Sequence, residues 1–127
     1  MNGFLLIDKP KGVTSANCVY QLRKILGIKK IGHCGTLDPL ATGLMILCTG
    51  KATKQIESYQ AGEKEYIATL KLGATTPSYD METEEDKQND FSFVTEELLK
   101  AALKKFEGEI EQVPPVFSAV KVKGKRA

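Results

Sequence analysis

At 127 residues the chain is long enough for one ordinary domain with one modest core. Its 42% apolar and 27% charged residues exclude wholesale disorder, and no apolar run approaches the roughly 18 residues that a membrane span needs. The net charge of +2 conceals a segregation: residues 1–56 hold eight Lys/Arg against two Asp, residues 57–112 six Lys against fourteen Asp/Glu, and residues 113–127 four Lys/Arg and no acid. A basic first half and tail fit a surface for a polyanion, and they fit equally a solvated surface with an acidic loop and helix elsewhere.

In chain order, "GFLLID" (3–8) reads as a short buried strand, and "KPKG" (9–12) as the turn that ends it. "TSANCVYQLRKILG" (14–27) reads as a helix with Thr14 or Ser15 as cap. Val19, Leu22, Ile25 and Leu26 form its apolar face, and Gly27 is its stop. Residues 29–34 feed the loop "GHCGTLDPLATG" (32–43) as a short strand or extended segment. "GLMILCTG" is a second buried strand, and "KATKQIESYQ" a short helix. "KEYIATLKLG" (64–73) alternates as a half-buried strand does, with Tyr66, Ala68, Leu70 and Leu72 on one face. The acidic, Pro- and Ser-containing stretch 74–92 reads as a mobile loop. "TEELLKAALKKFEG" (95–108) is a helix capped by Thr95, with acids in its first turn and lysines in its last. A strand over 116–122 follows. The expected fold class is mixed α+β, with a closing element still to come after "KGKRA".

Met1 leads into a segment with no basic start and no small-residue cleavage site, so a secretory signal is not expected. Cys18, Cys34 and Cys48 are odd in number and include no C-x-x-C pair. That points to reduced thiols in a cytoplasmic protein, and away from a disulfide framework or zinc site.

The loop around Asp38 combines unusual backbone control with a single carboxylate. Pro39 pushes Asp38 out of the helical region, while Gly35 and Gly43 permit tight turns and close approach of another backbone. Such a loop can hold a carboxylate outward; equally, an Asp-Pro turn can use its side chain to cap its own backbone. His33 and Cys34 do not make a thiol–imidazole dyad, because neighbours in an extended segment point to opposite faces. Cys34 is then a small packing residue. His33, the chain's one histidine, can pack, contact a phosphate or stack on a base. "TGKAT" (49–53) fails as a phosphate loop: Met45 stands where glycine is required and Ala52 where Ser or Thr should hold magnesium. One Asp and one His five residues apart fall short of a metal-ligand set. Tyr66 is either core packing or a ring for a nucleobase, and Lys9 and Pro10 read as a solvated turn.

Taken together, "LLIDKPKGVTS" (5–15), "KIGHCGTLDPLATGLMILCTGKATK" (30–54), "KEYIATLKLGATTPSYDME" (64–82) and "VPPVFSAVKVKGKRA" (113–127) resemble, in order, the opening blocks of the bacterial tRNA pseudouridine synthase B (TruB) family. The resemblance implies a pseudouridine synthase fold, a largely antiparallel central sheet flanked by helices. Residues 1–127 would be the N-terminal part of its catalytic domain, with the remainder and a C-terminal PUA domain lying beyond. The short lead is similar to the stand-alone bacterial form, a cytoplasmic monomer that needs no protein partner. The implied activity is isomerisation of a T-loop uridine in tRNA, with base flipping, no cofactor and no metal. Carried over by position, Asp38 becomes the catalytic aspartate, Tyr66 the ring against the target uracil and His33 the imidazole meeting the T-loop. Lys9 and Pro10 become the support of the active-site floor. Gly35 and Gly43 shape the loop, and Lys29 and Lys30 belong to the RNA-facing surface. The family's arginine partner for the aspartate falls on a later strand, so Arg126 is not that residue. Two other readings stand beside this one: a non-catalytic module binding the tRNA T-arm, and an unrelated soluble α/β domain.

Overall fold

The computed structural model describes residues 1–114 and the backbone of 121–122 and 125–126. Its contacts separate two units, Met1–Ile67 and Ala68–Ala127.

The first unit is built on three antiparallel strands, β1 (Gly3–Lys9), β2 (Ile31–His33) and β3 (Gly43–Thr49), in the order β1-β3-β2. β1 and β3 pair over their whole length, from Gly3 opposite Thr49 to Lys9 opposite Gly43. β3 is central, and its apolar run serves two cores at once because side chains alternate across a strand. Met45 and Leu47 pack with Cys18, Val19 and Ile31 under helix α1 (Ser15–Leu26). Ile46 and Cys48 pack on the other face against Cys34, Ala52 and Ile56. The segment covering that second face is a 3-10 turn, Gly50–Gln55, running into the short helix α2 (Ile56–Gln60).

β1 departs from the fully buried strand expected of it. Leu5 and Ile7 join the α1 core, whereas Leu6 on the opposite face is 70% exposed. A seven-residue strand with a helix on one side buries every second residue, and the "FLLI" run hid that alternation. Phe4 is partly covered by Tyr59, whose ring meets it edge-on at 5.1 Å.

α1 forms where its caps require. Thr14 accepts a hydrogen bond from the Asn17 amide at 3.0 Å, and Gly27 leaves the helix with φ 65°. Its buried stripe runs Ser15, Cys18, Val19, then Leu22 and Leu26 at the rim of the core. Ile25, expected on that face, is 75% exposed. It precedes Leu26 by one residue and so points about 100° away from it.

The half-buried strand expected over 64–73 is absent: residues 63–71 have no regular structure and are exposed. Alternation selects a face only when a neighbouring strand supplies the ladder, and none among the described residues does. The second unit contains helix α3 (Glu96–Lys104), with Thr95 accepting from the Leu98 amide at 3.2 Å. α3 is shorter than the 95–108 expected, because Lys105, Phe106 and Glu107 bond back three residues and tighten the end before Gly108. The stretch expected to be a bare loop contains a small ladder, β4 (Ala74–Thr75) against β5 (Lys87–Gln88). Ser78, bonded to both Asp80 and Thr83, braces the turn between them. Most of the strand expected over 116–122 lies outside the described residues. Its last two residues form β6 (Lys121–Val122), paired with β7 (Lys125–Arg126).

Leu47 is wholly buried at the centre of the first core, and Ile25 is not in it. Leu47→Ala is expected to lower unfolding free energy by about 2–5 kcal/mol and Ile25→Ala by under about 0.5 kcal/mol. Urea denaturation of the two variants checks this.

Candidate active site

The residues between β2 and β3, 34–42, form a loop that leaves the sheet beside His33 and returns at Gly43, directly opposite Lys9. Lys9 is the surprise of this region. Where a solvated turn was the plain expectation, its side chain is 0% exposed. Its ammonium donates to three backbone carbonyls, Pro10 at 2.9 Å, Val13 at 2.6 Å and Pro39 at 3.1 Å. All three N–H bonds are therefore used, and the "KPKGV" turn is tied to the residue after Asp38. The Gly12 amide reinforces the tie, donating to the Pro39 carbonyl at 2.7 Å. Pro10 supplies one of these carbonyls.

The other side of Asp38 is held from α1. The buried Ser15 hydroxyl accepts from the Leu37 amide at 2.9 Å and donates to the Leu37 carbonyl at 3.1 Å. Ser15 was read from the sequence only as an alternative cap; Thr14 caps, and Ser15 clamps. The signal was available in "TS": a helix start needs one capping hydroxyl, and the second is free for another use.

Asp38 itself is exposed. Its backbone carbonyl accepts from the Ala41 amide at 3.0 Å, but among the described residues its carboxylate has no hydrogen bond or ion pair. The side chain is thus not a cap of its own turn. Gly35 and Gly43, at φ 138° and 132°, flank the loop. An added Cβ at either would meet nothing within 4 Å, so backbone conformation rather than space calls for glycine there.

His33 Nδ1 lies 2.9 Å from the Gly35 carbonyl. A carbonyl only accepts, so Nδ1 carries the proton and Nε2 of the neutral ring is left as an acceptor. The ring lines an open cleft of about 330 Å³ with Val19, Arg23, Ile31 and Ile56; Asp38 is not part of its lining. Arg23 forms one wall, donating to the Ile31 carbonyl at 3.0 Å. Cys34 points to the opposite core, its sulfur 3.5 Å from that of Cys48, as the alternation argument required. Burial, and then the hydrogen bond with Cys48, push the Cys34 thiol up from 9.0 to about 11.

Lys29 and Lys30 are exposed on the approach to β2, and the Lys30 carbonyl accepts from the Gly50 amide at 2.9 Å. That bond sets them beside the turn bearing the exposed Lys51 and Lys54. Tyr66 is not brought to the loop by any hydrogen bond or ring contact among the described residues. It is 68% exposed on the irregular stretch that replaces the expected strand. Among the described residues no group of three or more His, Cys, Asp and Glu could hold a metal ion, and no helix is long and apolar enough to cross a membrane.

An antiparallel sheet with flanking helices, and a rigid loop presenting one unpaired aspartate, define a class that comparison with known proteins identifies. Residues 23–127 match the TruB family pseudouridylate synthase (N terminal domain), and the chain belongs to that family. It is 59% identical to the tRNA pseudouridine synthase B of Phocaeicola vulgatus and 57% identical to that of Bacteroides thetaiotaomicron. These alignments cover 97% of this chain and 55% and 54% of those proteins, so the chain spans about half the length of the curated relatives it matches. A solved Cbf5-Nop10-Gar1 complex contains a chain 33% identical to this one, with a TM-score of 0.61, over 94% of this chain and 31% of that one. The fold is that of a pseudouridine synthase.

Lys9→Met keeps the stem and removes the ammonium, leaving the Pro10 and Val13 carbonyls without that donor while Pro39 retains the Gly12 amide. Stability is expected to fall by about 1–3 kcal/mol, with faster amide exchange at Gly12. Denaturation and hydrogen exchange read the two effects. Cys34 acts on stability through pH. Its folded pKa is raised, so its contribution is complete below about pH 9 and is lost as pH climbs toward about 11. Urea midpoints between pH 8 and 11 should decline less steeply in Cys34→Ala than in the wild type.

Proposed function

We propose that residues 1–127 form the N-terminal part of the catalytic domain of a tRNA pseudouridine synthase, in which Asp38 is the catalytic aspartate and a T-loop uridine the substrate. The observation that supports this best is an exposed, unpaired Asp38 carboxylate on a loop clamped from both sides, in a chain of the TruB family.

The chemistry suits a lone carboxylate. Pseudouridine formation breaks the C1′–N1 glycosidic bond, turns the uracil and joins C5 to C1′; the C5 proton is lost and N1 gains one. No water is consumed, so no second acid is needed to activate water. One fixed anion beside the ribose can stabilise an oxocarbenium-like centre or attack it, as the carboxylate of a retaining glycosidase does. The target base has to leave the folded RNA loop, which costs a few kcal/mol. In this reading Tyr66, free on its irregular stretch, supplies stacking for the extruded base, worth about 1–3 kcal/mol. His33 meets the T-loop, and Lys29 and Lys30 contact the phosphate backbone. The proposal includes a cytoplasmic monomer acting on RNA without a protein partner.

Loss of the C5 hydrogen provides the assay. T-arm RNA carrying tritium at uridine C5 should release it to water when incubated with the chain, alone or extended to the length of its curated relatives. Asp38→Asn should abolish release while leaving RNA binding within about twofold, since the carboxylate acts on the reacting centre rather than on affinity. Replacing Lys29 and Lys30 by Ala should flatten the plot of log affinity against log salt by roughly 1.5 units, two phosphate contacts at about 0.7–0.9 each. T-arm binding with no release in either form identifies an RNA-binding module instead.

A further inference from the structure

Three polar side chains are buried among the described residues: Lys9, Ser15 and Thr49. Thr49 donates to the Gly3 carbonyl at 3.3 Å and so ties the ends of β1 and β3. Lys9 supports the loop floor. Ser15 belongs to α1 but does nothing for it, since Thr14 already caps the helix. Both hydrogen bonds of its hydroxyl go to one residue 22 positions away, Leu37.

Those two bonds act on the peptide units that flank Leu37. The amide bond fixes the plane joining residues 36 and 37; the carbonyl bond fixes the plane joining Leu37 to Asp38. On the far side, the plane joining Asp38 to Pro39 is fixed by the Ala41 amide bonding the Asp38 carbonyl, and Pro39 is held in turn by Lys9 and Gly12. Both backbone torsions of Asp38 therefore lie between restrained planes, and its Cα–Cβ direction is set although the carboxylate touches nothing. Ser15 is 2% exposed and cannot reach an RNA ligand itself.

We propose that Ser15 is a positioning residue for Asp38, acting through the Leu37–Asp38 peptide. The inference rests on Asp38 being the catalytic group. Removing the hydroxyl lets the plane rock, and misplacement of about 1 Å at a reacting group costs up to roughly 100-fold in rate.

Ser15→Ala is expected to lower kcat on T-arm RNA by roughly 10–100-fold with KM within about twofold, and to accelerate Leu37 amide exchange. Ser15→Thr, which keeps the oxygen, should recover most of the rate. Thr14→Ala weakens the same helix without touching the loop; it should lower Tm and leave kcat unchanged. Ser15→Ala turnover within about twofold of wild type overturns the proposal, as does a loss in which kcat, KM and Tm all shift together. If Asp38→Asn turns over like the wild type, or no form turns over, the catalytic reading falls separately. Leu37 exchange then decides: protection lost with the hydroxyl upholds the positioning, and unchanged protection overturns it.

Discussion

The first unit turns on one buried ammonium. Lys9 closes β1, and from there its Nζ gathers the carbonyls of Pro10, Val13 and Pro39. Taking a bare charge out of water costs several kcal/mol, and no carboxylate lies among its partners to offset it. What offsets it is geometry: three carbonyl dipoles meet the three protons of an ammonium, and the turn after β1 has to fold over the loop before β3 to supply them. While the ammonium is buried, only an arrangement that keeps these two segments together supplies its carbonyls. Because Lys9 lies opposite Gly43 in the β1–β3 register, the same residue also anchors the loop where it rejoins the sheet.

Ser15 complements this from the opposite side with a neutral contact. The ammonium holds the residue after Asp38, and the hydroxyl holds the residue before it. Neither contact involves a side chain of the loop; both take hold of its main chain. The Asp38 side chain remains available while the main chain on either side of it is held. Gly35 and Gly43 are consistent with this division, since they supply backbone conformations and nothing presses on them.

Much of this frame was legible in the sequence, for reasons that can be named. The α1 ends, a cap at Thr14 or Ser15 and a stop at Gly27, were readable because a cap and a left-handed stop are local properties, and the helix uses Thr14. β3 was legible because a short apolar run between glycines is what a strand covered on both faces needs. The opposed directions of His33 and Cys34 followed from strand geometry alone. Other features depend on partners remote in the chain. A lysine before a proline reads as solvent-exposed because lysine is almost never fully buried, and only the resemblance marked Lys9 as part of the floor. The role of Ser15 depends on a residue 22 positions away. Residues 64–73 carry the alternation of a strand, but alternation states which side would be buried and not that a partner is there.

Among the described residues the Asp38 carboxylate itself is left alone, and the bonds that orient it reach the backbone on either side. An aspartate fixed by hydrogen bonds to its own side chain would be well oriented, but each such bond would stabilise the anion before any reaction and weaken it toward an electron-poor carbon. Orientation taken from the backbone avoids that penalty. With Leu37 and Pro39 held, both oxygens of Asp38 stay available as acceptors among the described residues. The proposed reaction asks for one anion at one place with no water to activate, and a loop oriented through its backbone suits that need. Backbone bonds at Leu37 and Pro39 thus orient a carboxylate that no other described residue touches.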